Sequence, residues 1–519
     1  MSRIAGEATQ DAPTAETPAV GSGSTSLGDH AARGIVWSFM QGGALKVFNL
    51  AAQFVLAWVL VPGDFGYVSM AFAVAAFLSL ITQAGMKELL IRRYKEFPDL
   101  ATSAFWLMVL LGSFTTALGF FAAPLIAHFF HDDRLTNLIR VLAFQNIFLS
   151  LAIVADSKAQ IDLRFRFTAI LEFVCSVMLT TLTVLLAFLG WGAFAFIVPW
   201  PILAITKCAA FWSRTKVRIT GRPSLRIWMD VLGDNALLLA SATCLMITAQ
   251  GDYVILGRMY NKDVVGRYFW AFGLSTQAMQ LLSLNVAYVL LPSLAKLQDE
   301  PERFRAAFTR AASVLALLAV PACALQGVVA DPLVRLAFKP EYYPAIKIVQ
   351  ILSFGWAPFV ASHASGFALK AQGKFLLYLK LMIGAVLVFL PSVFLGAKLG
   401  AEVGAAFGVG VYSFVIGPLS VYTALRPLGG EVRDLVKIFG APLVAGAVST
   451  LAGLWVVHVL PAGAGRDIPH NLLRAGAASM VMAGIYLPLA RVLAPEAWEE
   501  MLSRGKRLFF RGKATPAAA

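Results

Sequence analysis

The sequence predicts an all-α polytopic membrane protein built from two related halves. Three observations carry this prediction. Of 519 residues, 59% are hydrophobic and only 14% charged, where soluble domains run to about a quarter charged. Apolar runs of about twenty residues recur from residue 35 to residue 493, each long enough to cross a hydrocarbon core of ~30 Å. One large block of the chain also occurs twice. Lipid offers no water to backbone N–H and C=O groups, so these runs must be helices rather than open strands.

The repeat reads as follows. Pro124-Leu125-Ile126-Ala127-His128-Phe129-Phe130 leads through a polar break to Leu138-Ile139-Arg140-Val141-Leu142 and then Lys158-Ala159-Gln160. Roughly two hundred residues later, Pro332-Leu333-Val334-Arg335-Leu336-Ala337-Phe338 leads to Ala345-Ile346-Lys347-Ile348-Val349 and then Lys370-Ala371-Gln372. Upstream, Asp64-Phe65-Gly66 is echoed with a one-residue slip by Asp263-Val264-Val265-Gly266. Such self-similarity indicates duplicated bundles.

In chain order, residues 1–30 are rich in Ala, Thr, Gly, Ser, Glu and Pro and have no apolar period, which predicts a disordered tail. No signal-peptide core lies there, so no cleaved signal is expected. About fourteen spans follow: 35–60, 66–86, 101–124, 136–155, 168–189, 191–211, 231–255, 265–291, 307–329, 345–368, 375–396, 402–424, 436–459 and 470–493. The first six form one bundle (31–211), a basic linker covers 212–230, and the next six form a second bundle (231–425). Two further helices occupy 426–495, and 496–519 is a basic tail. Its stretch Glu496–Arg511 is amphipathic and suits either an anionic leaflet surface or solvent.

Loop charge orients the bundle. Even-numbered connections carry the cations, for example Lys87, Arg92, Arg93 and Lys95, then Arg214, Lys216, Arg218, Arg222 and Arg226. Odd ones are poorer, with the seventh and ninth the weakest fits. The alternation places both termini in the cytoplasm. Six spans per copy give both copies one orientation, so the repeats are parallel. The net charge of +14 sits mostly in these short loops and is no footprint for nucleic acid. Cys175, Cys208, Cys244 and Cys323 have no Cys-x-x-Cys partner and read as small core residues.

The motifs of soluble chemistry are missing. Lys370-Ala371-Gln372-Gly373-Lys374-Phe375 lacks the upstream glycine and the hydroxyl of a phosphate-binding loop. There is no His-Glu-x-x-His, no Gly-x-Ser-x-Gly and no His/Cys cluster, so no cofactor and no metal is expected. Asp132-Asp133 reads as a solvated loop. What remains is polar groups inside spans, where a charge costs roughly 2.5–3.5 kcal/mol at the helix centre on insertion scales. Lys46, Asn49 and Gln53 share one face of the first span. Lys46 is read either as a cation facing a central cavity or as a side chain that snorkels or pairs for packing. Arg140 and Lys347 take corresponding places in the two copies, where they either flank a cavity suited to an anionic headgroup or snorkel to the interface. Asp252 supplies an acid, and Gln277 and Gln280 supply amides suited to sugar hydroxyls. Glu172 and Lys380, near-equivalent in the repeat but opposite in charge, either face each other or meet headgroups.

Gly34-Ile35-Val36-Trp37-Ser38, Leu60-Val61-Pro62-Gly63-Asp64-Phe65-Gly66 and Gly251-Asp252-Tyr253-Val254-Ile255-Leu256-Gly257-Arg258 resemble the polysaccharide transporter family. These are the Wzx-type flippases of the multidrug/oligosaccharidyl-lipid/polysaccharide exporter superfamily, and the resemblance covers about residues 31–495. It implies two six-helix bundles in a V around a cationic cavity. It also implies transport of a polyprenyl-pyrophosphate-linked oligosaccharide across the bacterial inner membrane, for O-antigen, capsule or exopolysaccharide. Membrane lipids, a polysaccharide polymerase and chain-length machinery are the partners it implies. Asp252 falls in a recurrent segment of that family. A drug antiporter, a peptidoglycan-precursor flippase and a membrane enzyme of glycan assembly are the other readings. A cationic interior argues against the first and short loops against the last.

Overall fold

The computed structural model describes residues 48, 49, 51–83, 85–220, 223, 228, 236–280, 282, 294, 297, 300–461 and 467–510. It divides into two units, Met1–Ala51 and Ala52–Ala519. In the first, residues 48, 49 and 51 are helical. The rest of this account concerns the second.

The chain forms α1 (helical over 52–59), α2 (Pro62–Gln83), α3 (Met86–Arg92), α4 (Phe97–Phe129), α5 (Leu135–Ile161), α6 (Phe165–Phe188), α7 (Phe194–Ile197) and α8 (Pro199–Thr215). The second half has α9 (Ala236–Met259), α10 (Lys262–Ser275), α11 (Pro301–Ala337), α12 (Ile346–Ala371) and α13 (Phe375–Leu425). After it come α14 (Ala441–Val459), α15 (Ile468–Leu493) and α16 (Pro495–Phe510). Eleven helices among the described residues are long and apolar enough to cross a membrane, and those residues contain no strand. The protein is a multi-pass, all-α membrane protein. Expected spans 35–60, 231–255 and 265–291 run over residues outside those described, so the described helices give no count of fourteen.

Helices α4 and α11 overrun their expected spans, 101–124 and 307–329, at both ends. Each begins with a proline in its first turn, where the missing N–H costs nothing. Hydropathy stops at charges such as Arg303 and Arg335, but the backbone ladder runs on beneath them.

Helix α13 is two legs. Gly400 (φ −152°, ψ 29°) and Ala401 (φ 48°, ψ −132°) leave helical geometry between the expected spans 375–396 and 402–424. Gly404 lies against the Gly396 carbonyl and Gly408 against the Ser392 carbonyl, a pairing that runs antiparallel. The legs touch backbone to backbone because no Cβ stands between them.

The duplicated block has one geometry at its two ends. After α5, Leu163 N–H donates to the Gln160 carbonyl and Arg164 N–H to the Ala159 carbonyl. After α12, Gly373 N–H donates to Lys370 and Lys374 N–H to Leu369. Leu163 (φ 54°) and Gly373 (φ 69°) are the left-handed residues of two equivalent caps. The cap pairs Gln160 with Lys370, so the Lys-Ala-Gln echo sits two residues out of structural register.

Contacts between connections respect their parity. Even-numbered connections meet at Lys87–Asp156, Arg164–Arg214, Arg305–Asp434 and Gln372–Ala424. Odd-numbered ones meet at Asp64–Gly192, His131–Arg258 and Tyr260–Ala397. Helices α14 and α15 pack on each other and on α11. Tyr486 of α15 donates to the Leu317 carbonyl of α11 (2.8 Å). Trp498 and Met501 of α16 line an apolar cavity of about 330 Å³ beside Leu317 and Tyr486, so the start of the amphipathic tail docks on protein.

Gly404→Val is expected to force the α13 legs apart and abolish the folded monomer on size-exclusion chromatography. Ala401→Gly, which removes a left-handed alanine, is expected to raise stability by about 1 kcal/mol in detergent unfolding; no change would show that the turn carries no strain.

Candidate functional site

The candidate site is the seam at the odd-connection end, where the two halves touch. Helices α2 and α10 both begin there and cross at their first turns. A Cβ on Gly66 would collide with the Lys262 carbonyl, and one on Gly266 with the Pro62 carbonyl. The glycines echoed in the repeat are therefore the point where the repeats meet. Asn261 caps α10, its side chain accepting from Val264 N–H (3.1 Å).

Hydrogen bonds fasten the crossing on each side. Tyr342 donates to the Leu60 carbonyl (3.0 Å) and Trp58 Nε1 to the Ala337 carbonyl (2.6 Å). Lys262 Nζ donates to the Tyr67 hydroxyl (3.1 Å), which in turn donates to Asp132 Oδ2 (2.7 Å). Arg258 lies 2.9 Å from a His131 ring nitrogen and over the Phe129 ring. Phe54 stacks on Phe338, and Phe65 meets Tyr342 edge-on. Asp132, one of the loop acids, thus helps hold the seam. Lys262, Tyr67, Arg258 and Tyr342 were not singled out by sequence; the Gly66/Gly266 echo was the signal available.

Next to the seam, the second half is knit through buried polar groups. Asp252 is 1% exposed and accepts from the Tyr268 hydroxyl (2.8 Å), joining α9 to α10. Past Ser275 the eighth span is interrupted. Gln326 of α11 inserts into the gap: Ala278 N–H donates to its Oε1 (3.0 Å), and its Nε2 donates to the Leu274 carbonyl (2.9 Å). One side-chain amide thereby satisfies both members of a broken helical pair, a recognised cause of a helix bend.

The other sequence candidates are scattered. Lys46 lies outside the described residues; Asn49 is helical, and Gln53 is exposed on α1. Arg140 stacks on Phe120 (4.7 Å) and its Nε donates to the Phe120 carbonyl (3.3 Å). Gln277 bonds the Gly273 carbonyl (2.8 Å), and Gln280 approaches the Thr276 hydroxyl (3.4 Å). Lys347 lines a polar pocket with Arg335 and Arg474, beside the C-terminal helices. Glu172 pairs with Lys207 of α8 (2.8 Å) rather than with Lys380. Among the described residues no group of His, Cys, Asp and Glu is arranged to hold a metal ion.

An all-α, multi-pass membrane protein in which α2 and α10 cross at their first turns is what this architecture defines, and solved structures similar to it include transporters. A lipid II flippase MurJ in an inward closed conformation matches with TM-score 0.68 and 13% identity, over 87% of this chain and 98% of that one. An inward-facing multidrug resistance transporter of the MATE family, in the MOP superfamily, matches with TM-score 0.62 and 15% identity, over 74% and 94%. At these identities the likeness is one of fold. Curated relatives include the lipopolysaccharide biosynthesis protein WzxC of Escherichia coli (strain K12), 25% identical over 80% of this chain and 85% of that protein. The teichuronic acid biosynthesis protein TuaB of Bacillus subtilis (strain 168) is 22% identical over 72% and 78%. A family model described as "Polysaccharide biosynthesis protein" matches residues 55–347. The chain belongs to that family.

Gly266→Ala is expected to disrupt the seam, while Gly273→Ala, whose Cβ meets open space, leaves it intact. Thermal unfolding in detergent should show a loss of ~1–3 kcal/mol for the first alone. Gln326→Leu leaves two buried backbone groups unpaired unless the helix straightens, at about 1–3 kcal/mol each. A lower unfolding midpoint is expected, and an unchanged one would mean that the bend needs no side chain.

Proposed function

We propose that the protein is a flippase that moves a polyprenyl-pyrophosphate-linked oligosaccharide repeat unit across the bacterial inner membrane for surface-polysaccharide assembly. Membership of the polysaccharide biosynthesis family supports this reading, as do relatives named for lipopolysaccharide, teichuronic acid and, in a transport protein, succinoglycan. The observation that supports the mechanism is the crossing of α2 and α10, where the two halves meet at Gly66 and Gly266. We take both termini as cytoplasmic, which puts the seam on the outer face and reads this arrangement as closed to the outside.

The energetics suit alternating access. Among the described residues, Tyr342, Trp58, Lys262 and Arg258 make four hydrogen-bonded contacts across the seam. At roughly 0.5–1.5 kcal/mol each these bonds contribute about 2–6 kcal/mol, and ring contacts such as Phe54–Phe338 and Phe65–Tyr342 add to them. Inverting a two-state equilibrium from 1:99 to 99:1 takes about 5.5 kcal/mol. A cargo opens the seam only to the extent that it binds the open state more tightly than the closed one. In this mechanism a cation, for which Lys46 is the proposed residue, neutralises the pyrophosphate, amides meet the sugars, and the lipid tail stays in the bilayer. No covalent bond of the cargo changes. The drive is an ion gradient, the membrane potential or consumption of product outside. A polymerase and chain-length machinery take the product onward.

Deleting the gene and extracting polyprenyl-pyrophosphate glycans tests the reading. Accumulated lipid-linked repeat units with lost surface polymer are the expected result, and Lys46→Ala should fail to restore the polymer. Unchanged glycans and polymer with new drug sensitivity would replace the flippase with an antiporter.

A further inference from the structure

A second polar feature lies away from the seam. A pocket of about 460 Å³ opens between the second half and the C-terminal helices, lined by Asp331 and Arg335 of α11, Tyr343 and Lys347 at the start of α12, His458 of α14 and Arg474 of α15. These side chains come from the ends of helices that meet at the odd-connection side. Arg474 stands in the second turn of α15, so the pocket sits near the helix ends rather than at their middles.

Its charges do not balance. Asp331 is shared by two guanidiniums, Arg335 Nε on Oδ1 (2.7 Å) and Arg474 Nη2 on Oδ2 (3.1 Å). Lys347 adds a third fixed cation, so three face a single carboxylate. Arg474 is only 6% exposed. Its Nε and Nη2 also donate to the Val457 carbonyl. Its Nη1 is buried and has no hydrogen-bond partner among the described residues. A buried guanidinium needs both counter-charge and acceptors. Arg335 keeps its other donors beside the pocket while its plane rests on Tyr343 (5.1 Å).

We infer that this pocket is an anion-binding site for a phosphate group. A phosphate or phosphodiester supplies the missing charge, and its several oxygens match forked guanidinium donors and a lysine. None of the pocket's lining residues is among those that hydrogen-bond across the seam. The phosphate comes either from an anionic phospholipid of the adjoining leaflet or from solution. An occupant there ties α11 and α12 to α14 and α15, fastening the C-terminal pair to the second half.

The test uses the full-length protein in nanodiscs of equimolar phosphatidylglycerol and phosphatidylcholine, released into the gas phase for native mass spectrometry. The expected result is one retained phosphatidylglycerol, reduced about tenfold in Lys347→Ala and in Arg474→Lys, which keeps the charge but loses the fork. In delipidated protein in detergent, inorganic phosphate is titrated while the unfolding midpoint is followed. A saturable rise that both variants lose, without phosphatidylglycerol retention, assigns the site to phosphate from solution. The detergent midpoint without ligand checks that each variant is folded. If neither probe binds the wild type, or folded variants bind as the wild type does, or phosphatidylcholine is retained equally, the inference is overturned.

Discussion

Two glycines that cannot carry a side chain hold this protein in its present shape. Gly66 and Gly266 lie at the crossing of α2 and α10, each against a carbonyl of the other half. Only backbone at that point lets the halves approach closely enough for the surrounding aromatic side chains to mesh. Phe65 then reaches Phe269 and Tyr342, and Trp270 fits between Phe338 and Tyr342. In lipid there is little hydrophobic drive to bring helices together, so close packing and hydrogen bonds must do it. A single methyl group at the crossing would separate both.

The same constraint shapes the second half and the C-terminal helices packed on it. Gln326 satisfies a broken helical pair, Tyr268 satisfies Asp252, and Arg474 is held to Asp331 and the Val457 carbonyl. Each of these ties neighbouring helices together through a polar group that would be costly to expose to lipid. Buried polar groups thus tie neighbouring helices together, while at the crossing of α2 and α10 the halves share a continuous apolar core.

The fold was largely legible in the sequence. Apolar runs marked the helices because a bilayer demands about twenty apolar residues per crossing, and the Gly400–Ala401 turn falls between two expected spans. The repeat pointed to Gly66 and Gly266. It did not reveal that they touch, since self-similarity says which residues correspond and not which meet. The Lys-Ala-Gln echo misled by two residues, because helix ends are set by cap hydrogen bonds rather than by residue likeness. Arg140 and Lys347 correspond in the repeat, yet one rests on Phe120 and the other lines a pocket made with α15, a helix outside the duplicated block.

What the sequence determined alone was the membrane-spanning helical class, the duplication and the absence of a phosphate-binding loop. These follow from local composition, which the solvent reads one segment at a time. The tertiary structure decided which polar residues meet: Lys262 with Tyr67, Gln326 with a backbone gap some fifty residues earlier, Arg474 with Asp331. A polar side chain in a helix must find a partner, but its partner is chosen by the packing of other helices, and no spacing along the chain records that choice.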